Sequence, residues 1–448
     1  YDRTSVSLGQ FHYETNGFRK NKDQKHNIYN AFIQHAVNSK FNVQAEARTR
    51  EKEHGDIELD FNPNSTTTRR RDLKEDLVRL GARYAISPRQ DIIVSTIYAN
   101  NKTKNIRPSP RRGRPPINTL ADRNRYQAEA QYLFRYKYFN AIAGGGFSQT
   151  ESDSMEPGSL EETKTQQNNA YIYSNLNFPQ NITTTLGLSY NSYKVENTGT
   201  PSFVNANLDI DKINKKFGLQ WNVTDNTRLR LAWFEAVKSD LIGQQTIEPT
   251  QIAGFNQFFD DLNGTRSRRK AVGLDTRFLD NLYGGVEASI RKLKIPQLFN
   301  EEFFDKQKEQ IYRSYLYGTL NQNWSITGEF QYEKFARDKD FPFFGESPNK
   351  IQTLSAPISV NYFNQNGLFA RLTGTFVRQK LERINSPPLD PNIGKTEGDS
   401  SFFLLDAMTG YRLPNRRGML SIEGNNLLNA AKGEKNILDG NIKTYKIV

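Results

Sequence analysis

Apolar and polar residues alternate along several stretches of the chain. From Tyr126 to Tyr138 the even positions carry tyrosine, alanine or phenylalanine, while the odd positions are polar except for Leu133. Segments that begin at Ile182, Trp324 and near Leu354 repeat this pattern. Successive side chains of a β-strand point to opposite faces of the sheet. The pattern therefore predicts strands with one apolar face and one polar face.

The length of these strands distinguishes them from those of ordinary soluble sheets. They run for about ten to fourteen residues, whereas strands of soluble proteins usually have about five or six. A tilted strand needs about nine to eleven residues to cross the hydrocarbon of a membrane. Aromatic residues also gather near the predicted strand ends, at Tyr136, Tyr138, Trp324, Tyr362 and Phe363. Such residues suit the headgroup level of a bilayer.

Short and long connections alternate between the predicted strands. Tight reversals are predicted at residues 38–40, 88–90, 139–140, 179–181, 225–226, 280–281, 322–323, 365–367 and 414–416. Long polar connections are predicted at about residues 14–26, 55–73, 101–122, 152–167, 197–211, 239–265, 294–308, 337–350, 381–400 and 430–441. Short turns at one rim and long loops at the other are typical of a transmembrane β-barrel.

These patterns predict one all-β domain over residues 1–448. Its fold is expected to be an antiparallel transmembrane β-barrel of about 18–20 strands, with short periplasmic turns and long extracellular loops. Residues 441–448 alternate poorly and are the weakest of the predicted strands. The soluble alternative is a β-propeller or a large sandwich, because the tight turns recur at about the length of a propeller blade. Strand length favours the barrel.

Composition is consistent with a barrel and excludes a helical membrane protein. Only 36% of residues are hydrophobic, and the mean hydropathy is -0.75. No apolar run approaches the ~18 residues of a membrane-spanning helix. A barrel needs apolar residues only at alternate positions of its strands, and the 29 phenylalanines and 21 tyrosines argue against disorder. Cysteine is absent, which excludes disulfides and thiolate metal sites. Because residues 1–8 already alternate and contain no apolar signal core, the chain is expected to be a mature protein or a piece of one.

Candidate catalytic or metal-binding motifs are not found in the sequence. The four histidines lie outside metal-ligand spacings: His12, His26, His35 and His54. Residues 144–146 are three glycines within a predicted strand, without the lysine and helix of a phosphate loop. Asp60, Asp260 and Asp261 lack the spacing of a calcium loop. The chain is therefore expected to be no enzyme and to hold no cofactor or metal.

Basic residues provide the candidate binding site. Formal net charge is +12, and part of it is concentrated in three predicted long loops. The residues are Arg69, Arg70, Arg71, Arg107, Arg111, Arg112, Arg114, Arg266, Arg268, Arg269 and Lys270. On an extracellular rim they would bind phosphates of lipopolysaccharide, an anionic ligand such as a siderophore or polysaccharide, or water alone. Nucleic acid is not expected, because aromatic residues are not interleaved with these arginines.

Two stretches resemble TonB-dependent receptors, which are outer-membrane transporters. Residues 418–429, GMLSIEGNNLLN, resemble their penultimate strand running into an Asn-Leu-Leu-Asn end. Residues 246–255, TIEPTQIAGF, are similar to their Leu-x-Pro-Glu segment, with the glutamate and proline in the opposite order. The family has a globular plug and a short energy-coupling box before the barrel, and this chain, which starts in a strand, is expected to have neither.

The resemblance and the architecture together predict transport of a solute or polymer across the bacterial outer membrane. The alternative is a non-transporting anchor or assembly platform that holds a surface or periplasmic protein. Transport is favoured because so wide a barrel is costly to build merely as an anchor. Expected partners are outer-membrane lipid and lipopolysaccharide, an anionic ligand or polysaccharide, and a surface or periplasmic protein.

Overall fold

The computed structural model describes residues 3–17, 21–57, 68–109, 115–200, 207–296, 304–337, 348–383, 396–428 and 430. Nineteen strands form one antiparallel sheet. They are β1 (Thr4–Thr15), β2 (Gln24–Ala36), β3 (Phe41–His54), β4 (Arg70–Ser87), β5 (Gln90–Arg107), β6 (Ile117–Arg135), β7 (Phe139–Glu156), β8 (Ser159–Phe178), β9 (Ile182–Thr200), β10 (Leu208–Thr224), β11 (Thr227–Val237), β14 (Arg266–Leu279), β15 (Leu282–Pro296), β16 (Phe304–Thr319), β17 (Trp324–Arg337), β18 (Pro348–Phe363), β19 (Leu368–Arg383), β20 (Thr396–Arg412) and β21 (Met419–Gly424). Two short strands, β12 (Gln251–Ile252) and β13 (Phe255–Asn256), form a separate hairpin.

Each strand of the large sheet pairs with its neighbour in the sequence, so the chain forms a meander from β1 to β21. Within the described residues, β1 pairs only with β2 and β21 only with β20. The predicted strand at 441–448 lies outside the described residues. No helix in the described part of the chain is both long and apolar enough to cross a membrane.

All nine predicted tight reversals join consecutive strands, although the reversal near Phe139 lies at residues 136–138. Asparagine side chains stabilise several of them. The Asn38 side-chain oxygen accepts hydrogen bonds from the backbone N–H groups of Lys40 at 2.8 Å and Phe41 at 2.9 Å. Asn181 adopts a positive φ of 60°, which asparagine tolerates better than most residues. The local sequence thus specifies where the chain turns.

The long connections differ more from the prediction. The predicted loop at 152–167 is wrong, because β7 and β8 continue through it and only residues 157–158 separate them. Likewise, β5 and β6 occupy most of the predicted loop at 101–122. Above the membrane both faces of these strands are polar, so the apolar alternation that identifies a strand is missing. The connections at 338–347 and 384–395, and most of 430–441, lie outside the described residues.

The two faces of the sheet confirm the predicted alternation. On β6, Tyr126 is 47% exposed, whereas its neighbour Gln127 is 3% exposed. On β9, Leu186, Leu188 and Tyr190 are exposed, whereas Ser189 is buried. Exposed apolar residues therefore cover the outer face, and the polar residues point inward. This inside-out arrangement suits a wall that contacts lipid.

Aromatic residues border the outer apolar band at both ends. At the tight-turn end, the Trp324 and Tyr362 rings lie 4.8 Å apart, and Tyr136 is exposed. At the opposite end, the Tyr98 and Tyr126 rings lie 5.0 Å apart. From Tyr126 to Tyr136 a tilted strand rises by about 25 Å, which matches the apolar band of an outer-membrane barrel.

Above the aromatic border at Tyr98 and Tyr126, apolar residues of β9 and β10 face inward and charged residues face outward. Inward-facing Tyr193 and Val195 pack against Leu208 and Ile210 in a small buried cluster. On the outer face, Lys194 instead pairs with Asp209 at 3.2 Å. The wall therefore extends beyond the membrane on the side of the long connections.

Candidate functional site

The connection between β11 and β14, residues 238–265, folds back along the inner face of the sheet. We call it the inner segment. Its two ends are joined by backbone hydrogen bonds, from Lys238 N–H to the Thr265 carbonyl at 2.8 Å and from Gly264 N–H to the Lys238 carbonyl at 2.9 Å. The Lys238 ammonium donates to Gln244 at 2.7 Å, and burial lowers the pKa of Lys238. The prediction of an extracellular loop at 239–265 is therefore wrong.

Strand β6 guides the descending half of the inner segment. Arg125 pairs with Asp240 at 2.7 Å. The Gln127 side chain accepts from Ile242 N–H at 2.8 Å and donates to the Gln245 carbonyl at 2.7 Å.

Deeper in the lumen, Glu129 accepts from the Thr246 hydroxyl at 2.5 Å, and Gln131 donates to the Ile247 carbonyl at 2.6 Å. These anchors occupy successive inward positions from Arg125 to Gln131. The segment therefore descends by about 20 Å along the tilted strand, which is about 15 Å along the barrel axis.

Glu248 follows these anchors in the descending half. It accepts a hydrogen bond from the Tyr173 hydroxyl at 2.5 Å and lies 3.6 Å from the Lys216 ammonium. The Lys216 side chain is 1% exposed and that of Glu248 5%. Lys216 also donates to Gln257, on the ascending half of the segment. One buried lysine thus joins the wall to both halves of the inner segment.

The hairpin of β12 and β13 provides the segment with a small core. Ile252 and Phe255 are buried against residues of the wall, namely Tyr171, Tyr173, Ala232, Phe234 and Ala271. Gly218 on β10 makes the close approach: a Cβ at this position would lie 2.8 Å from Ile252 Cγ2. Because real Cβ contacts are not that short, a larger residue at this position would force the hairpin to shift.

Three inward arginines hold the hairpin and the ascending half. The Arg230 guanidinium lies 4.7 Å from the centre of the Phe255 ring, and that of Arg291 lies 4.0 Å from the Phe259 ring. Arg269 lies 5.2 Å from the Phe259 ring and donates to the Asn256 carbonyl at 3.1 Å. Arginine over an aromatic face is attractive, and more so where water is excluded.

The inner segment occupies one side of the lumen. Its hydrogen bonds, ion pairs and apolar contacts reach strands β4 to β11, β14 and β15. Within the described residues, no hydrogen bond or ion pair joins it to β1–β3 or β16–β21. The inner face of β17 is polar and only partly buried, with Thr327 and Gln331 beside an Arg313–Glu329 pair at 2.8 Å. A polar wall of both charges therefore faces the inner segment.

The predicted basic residues fall into separate places. Arg70 and Arg71 lie in β4 and Arg107 ends β5, so the loop placement predicted for these three is wrong, and Arg69 lies just before β4. Arg70 pairs with Asp23 at 2.7 Å and lowers the pKa of that carboxyl, while Arg107 pairs with Glu156 at 2.8 Å. Arg111, Arg112 and Arg114 lie outside the described residues.

The third basic group is not in a loop. Arg266, Arg268, Arg269 and Lys270 belong to β14, and the loop placement predicted for them is wrong. Arg268 and Lys270 are exposed on the outer face, whereas Arg269 is buried and contacts the inner segment. Because charged residues lie on both faces at this end of β14, the alternation of apolar and polar residues could not be recognised in the sequence. A ligand-binding role for these residues stays a prediction.

Sequence reasoning missed the anchors of the inner segment. Gln127, Glu129 and Gln131 look like any lumen-facing positions, because nothing local distinguishes a residue that binds water from one that binds a backbone carbonyl. The available signal was in the connection itself. Its apolar residues Ile252, Phe255, Phe258 and Phe259 are too many for an exposed polar loop. Within the described residues, no group of three or more His, Asp or Glu side chains could hold a metal ion.

Comparison with solved structures shows the same fold as siderophore receptors of the outer membrane. The ferric-catecholate import receptor Fiu from E. coli K12, in its closed form, matches with a TM-score of 0.67 at 12% identity, over 96% of this chain and 74% of that chain. BauA, the ferric preacinetobactin receptor from Acinetobacter baumannii, matches with a TM-score of 0.70 at 12% identity, over 99% and 74%. FpvAI in its complex with pyocin S2 matches with a TM-score of 0.70 at 12% identity, and the chain spans 65% of its length.

No curated protein matches the chain. The family described as "TonB dependent receptor-like, beta-barrel" matches residues 1–427, which include the stretch at 246–255 and most of the stretch at 418–429 that resemble TonB-dependent receptors. Taken with the continuous antiparallel sheet and its exposed apolar band, this match shows that the chain belongs to the TonB-dependent receptor-like β-barrel family of the bacterial outer membrane.

Proposed function

We propose that this barrel carries a polar solute across the outer membrane, through the side of the lumen that the inner segment leaves free. The observation that carries the proposal is the one-sided seating of residues 238–265 against β4–β11, β14 and β15. An inner segment that contacts only part of the wall narrows a passage without closing it. The remaining inner face, on β16–β20 and β1–β3, is mainly polar and suits water, although Phe369, Val377 and Leu381 of β19 are apolar and buried.

The charge of this passage favours no single class of ion. Arg313 pairs with Glu329, and Arg337 pairs with Asp305 at 2.9 Å, all on β16 and β17. Because basic and acidic side chains neutralise each other locally, the lumen is expected to select solutes by size more than by charge. The solved relatives carry names of iron–siderophore receptors. A solute of that size class is the substrate we propose, although the fold alone does not specify it.

Conductance across a planar bilayer tests the proposal. The purified chain is expected to give small, steady current steps, because the passage is narrow but water-filled. A variant in which Gln127 and Glu129 are both replaced by leucine loses four bonds to the inner segment and is expected to give larger or flickering steps. Replacing Thr327 with alanine on the opposite wall serves as the control and is expected to leave the step size unchanged.

A different outcome would favour the alternative function. If the wild-type chain and the Gln127→Leu/Glu129→Leu variant are both silent, the lumen carries nothing and the barrel is better described as an anchor or assembly platform. Loss of a bound surface protein on replacement of Arg70 and Arg107 would then identify that role.

A further inference from the structure

The outer surface of β14, β15 and β16 carries two rows of cations at the end where the long connections lie. In the first row, Arg268, Lys292 and Lys308 are direct cross-strand partners. In the second row, Arg266, Lys294 and Lys306 are partners in the same way. Neighbouring strands lie only about 5 Å apart, so each row places three positive charges side by side.

Among the described residues, only one of these six cations has a carboxylate within ion-pair distance. Arg268 pairs with Glu235 at 2.7 Å. In the part of the chain that the structure describes, Lys292, Lys294, Lys306 and Lys308 form no ion pair. Like charges placed directly opposite each other on a sheet are destabilising. A groove of about 510 Å³ lies among these side chains. The arrangement therefore suits a bound anion with more than one negative charge.

The outer surface of β3–β6 has a different charge pattern at the same height above the apolar band. There the corresponding outer row reads Glu51, Lys74, Lys102 and Asp122 across β3 to β6. Lys74 lies 3.9 Å from Glu51, and Lys102 lies 3.9 Å from Asp122. Each of these lysines has its own carboxylate.

The position of the cationic rows indicates what kind of anion they meet. On β15, Lys292 follows Ile290, and further down the same outer face lies exposed Val286. On β14, exposed Val272 and Leu274 continue below Lys270. On β16, Lys308 lies four residues beyond the exposed ring of Tyr312. The rows thus lie directly above the apolar band, at the level of lipid headgroups.

We propose that Arg266, Arg268, Lys292, Lys294, Lys306 and Lys308 bind the phosphate groups of a phosphorylated glycolipid in the outer leaflet. The acyl chains of this lipid lie against the apolar surface below, on Val272, Leu274 and Val286. A soluble phosphate compound would use the cations but leave this surface unused. An amphiphile satisfies both parts at once, because its anionic head and apolar tails are joined at the same level as the two surfaces. The site is independent of whether the lumen transports a solute.

Retention of lipopolysaccharide by the detergent-purified full-length barrel tests this site. The test variant replaces Lys292 and Lys308 with glutamine, and the matched control replaces Lys74 and Lys102 with glutamine. Both remove two outer-face charges at the headgroup level. With each surface lysine contributing about 1 kcal/mol to binding of an anionic lipid, the test variant is expected to bind about 30-fold more weakly. The control variant is expected to bind like the wild type. Heat-shifted migration on a gel shows that all three barrels are folded.

Two added ligands separate a lipid from a free anion. Lipopolysaccharide whose lipid phosphates have been removed enzymatically is expected to be retained no better by the wild type than by the test variant. Inorganic phosphate at equal concentration is expected to leave the bound glycolipid in place. Equal loss of lipid from test and control variants would overturn the proposal, and so would undiminished retention of the dephosphorylated lipid. Displacement by inorganic phosphate would show a simple anion site in its place.

Discussion

Replacing Lys216 with methionine is expected to loosen the inner segment without unfolding the barrel. Lys216 contacts Glu248 on the descending half and also donates to Gln257 on the ascending half, and the Tyr173 hydroxyl binds the same two side chains. Methionine keeps most of the apolar stem but removes the charge. Glu248 then remains as a buried carboxylate that has lost its cation. The neighbouring sheet hydrogen bonds of β10 are unaffected, since they belong to the backbone.

The expected free-energy cost of the Lys216→Met change follows from the burial of the Lys216–Glu248 pair. Removing one partner of a buried ion pair costs about 3–5 kcal/mol. Glu248 keeps its bonds from Tyr173 and Asn169, so the lower end of that range, about 3 kcal/mol, applies here. If the segment opens locally and recloses quickly, its open population should rise by about 150-fold. The double variant Lys216→Met/Glu248→Gln should open less than the single variant, because no unpaired charge remains.

A single reporter thiol measures this opening. The chain contains no cysteine, so the Ile252→Cys variant is labelled without background from other positions. Ile252 is fully buried at the hairpin, and a water-soluble maleimide can reach a thiol there only when the segment leaves the wall. The Leu262→Cys variant, at a position that is 66% exposed, gives the rate for an accessible site of the same segment. Labelling at position 252 should be much slower than at position 262, and Lys216→Met should accelerate only the former.

Two results would refute this reasoning. Equal labelling rates at positions 252 and 262 in the otherwise wild-type protein would mean that the hairpin is not seated on the wall. An unchanged rate at position 252 after Lys216→Met would mean that the buried pair does not hold it.

Three further predictions test other parts of the structure. Gly218→Val should accelerate thiol labelling at position 252, because the valine side chain would collide with the hairpin. Gly328→Val should not, because a Cβ there meets nothing within 4 Å. Equal effects of the two variants would contradict the close packing at Gly218. Phe330→Arg on the outer face should lower the free energy of unfolding in vesicles by about 2–4 kcal/mol. Gln331→Arg on the inner face should lower it much less. A larger loss of stability for Gln331→Arg would mean that the inner and outer faces are assigned the wrong way round. The Asp23–Arg70 contact should be complete above the ordinary aspartate pKa of about 3.9 and lost as the pH falls through the lowered pKa of Asp23. The Asp56 N–H group donates to the Asn21 carbonyl at 2.6 Å, and its hydrogen-exchange rate reports this contact. After correction for intrinsic rates, exchange in the wild type should therefore become faster in acid. In the Asp23→Asn variant it should be fast at every pH.

The sequence was sufficient to predict the wall of this barrel because the wall is built from local rules. Alternation at Tyr126–Tyr138 determines which face contacts lipid, and asparagine-containing turns such as that at Asn38 determine where strands reverse. The same rules fail above the membrane, where β7 and β8 carry polar residues on both faces and look like a loop.

The inner segment could not be predicted by these rules, because its position depends on contacts that are far apart in the sequence. Gln131 on β6 and Ile247 are 116 residues apart, and Tyr173 and Glu248 are 75 apart. Nothing near either residue indicates the other. The predicted basic residues of β14 were separated by strand alternation instead: Arg268 is exposed on the outer face, and adjacent Arg269 is buried beside Phe255 and Phe259.

Spin-label accessibility along β4, β5, β6 and β17 in lipid vesicles tests the central claim most directly. Labels replacing Ala128 and Ala130 should be relaxed by oxygen, which concentrates in lipid, and labels replacing Thr327 and Gln331 by a water-soluble nickel complex. Labels replacing Leu77 and Ile97, which pack in one buried cluster with Ile242, should respond weakly to both, because the inner segment covers them. If positions 77 and 97 respond to the nickel complex as strongly as positions 327 and 331, the inner segment does not occupy that side of the lumen and the account is contradicted.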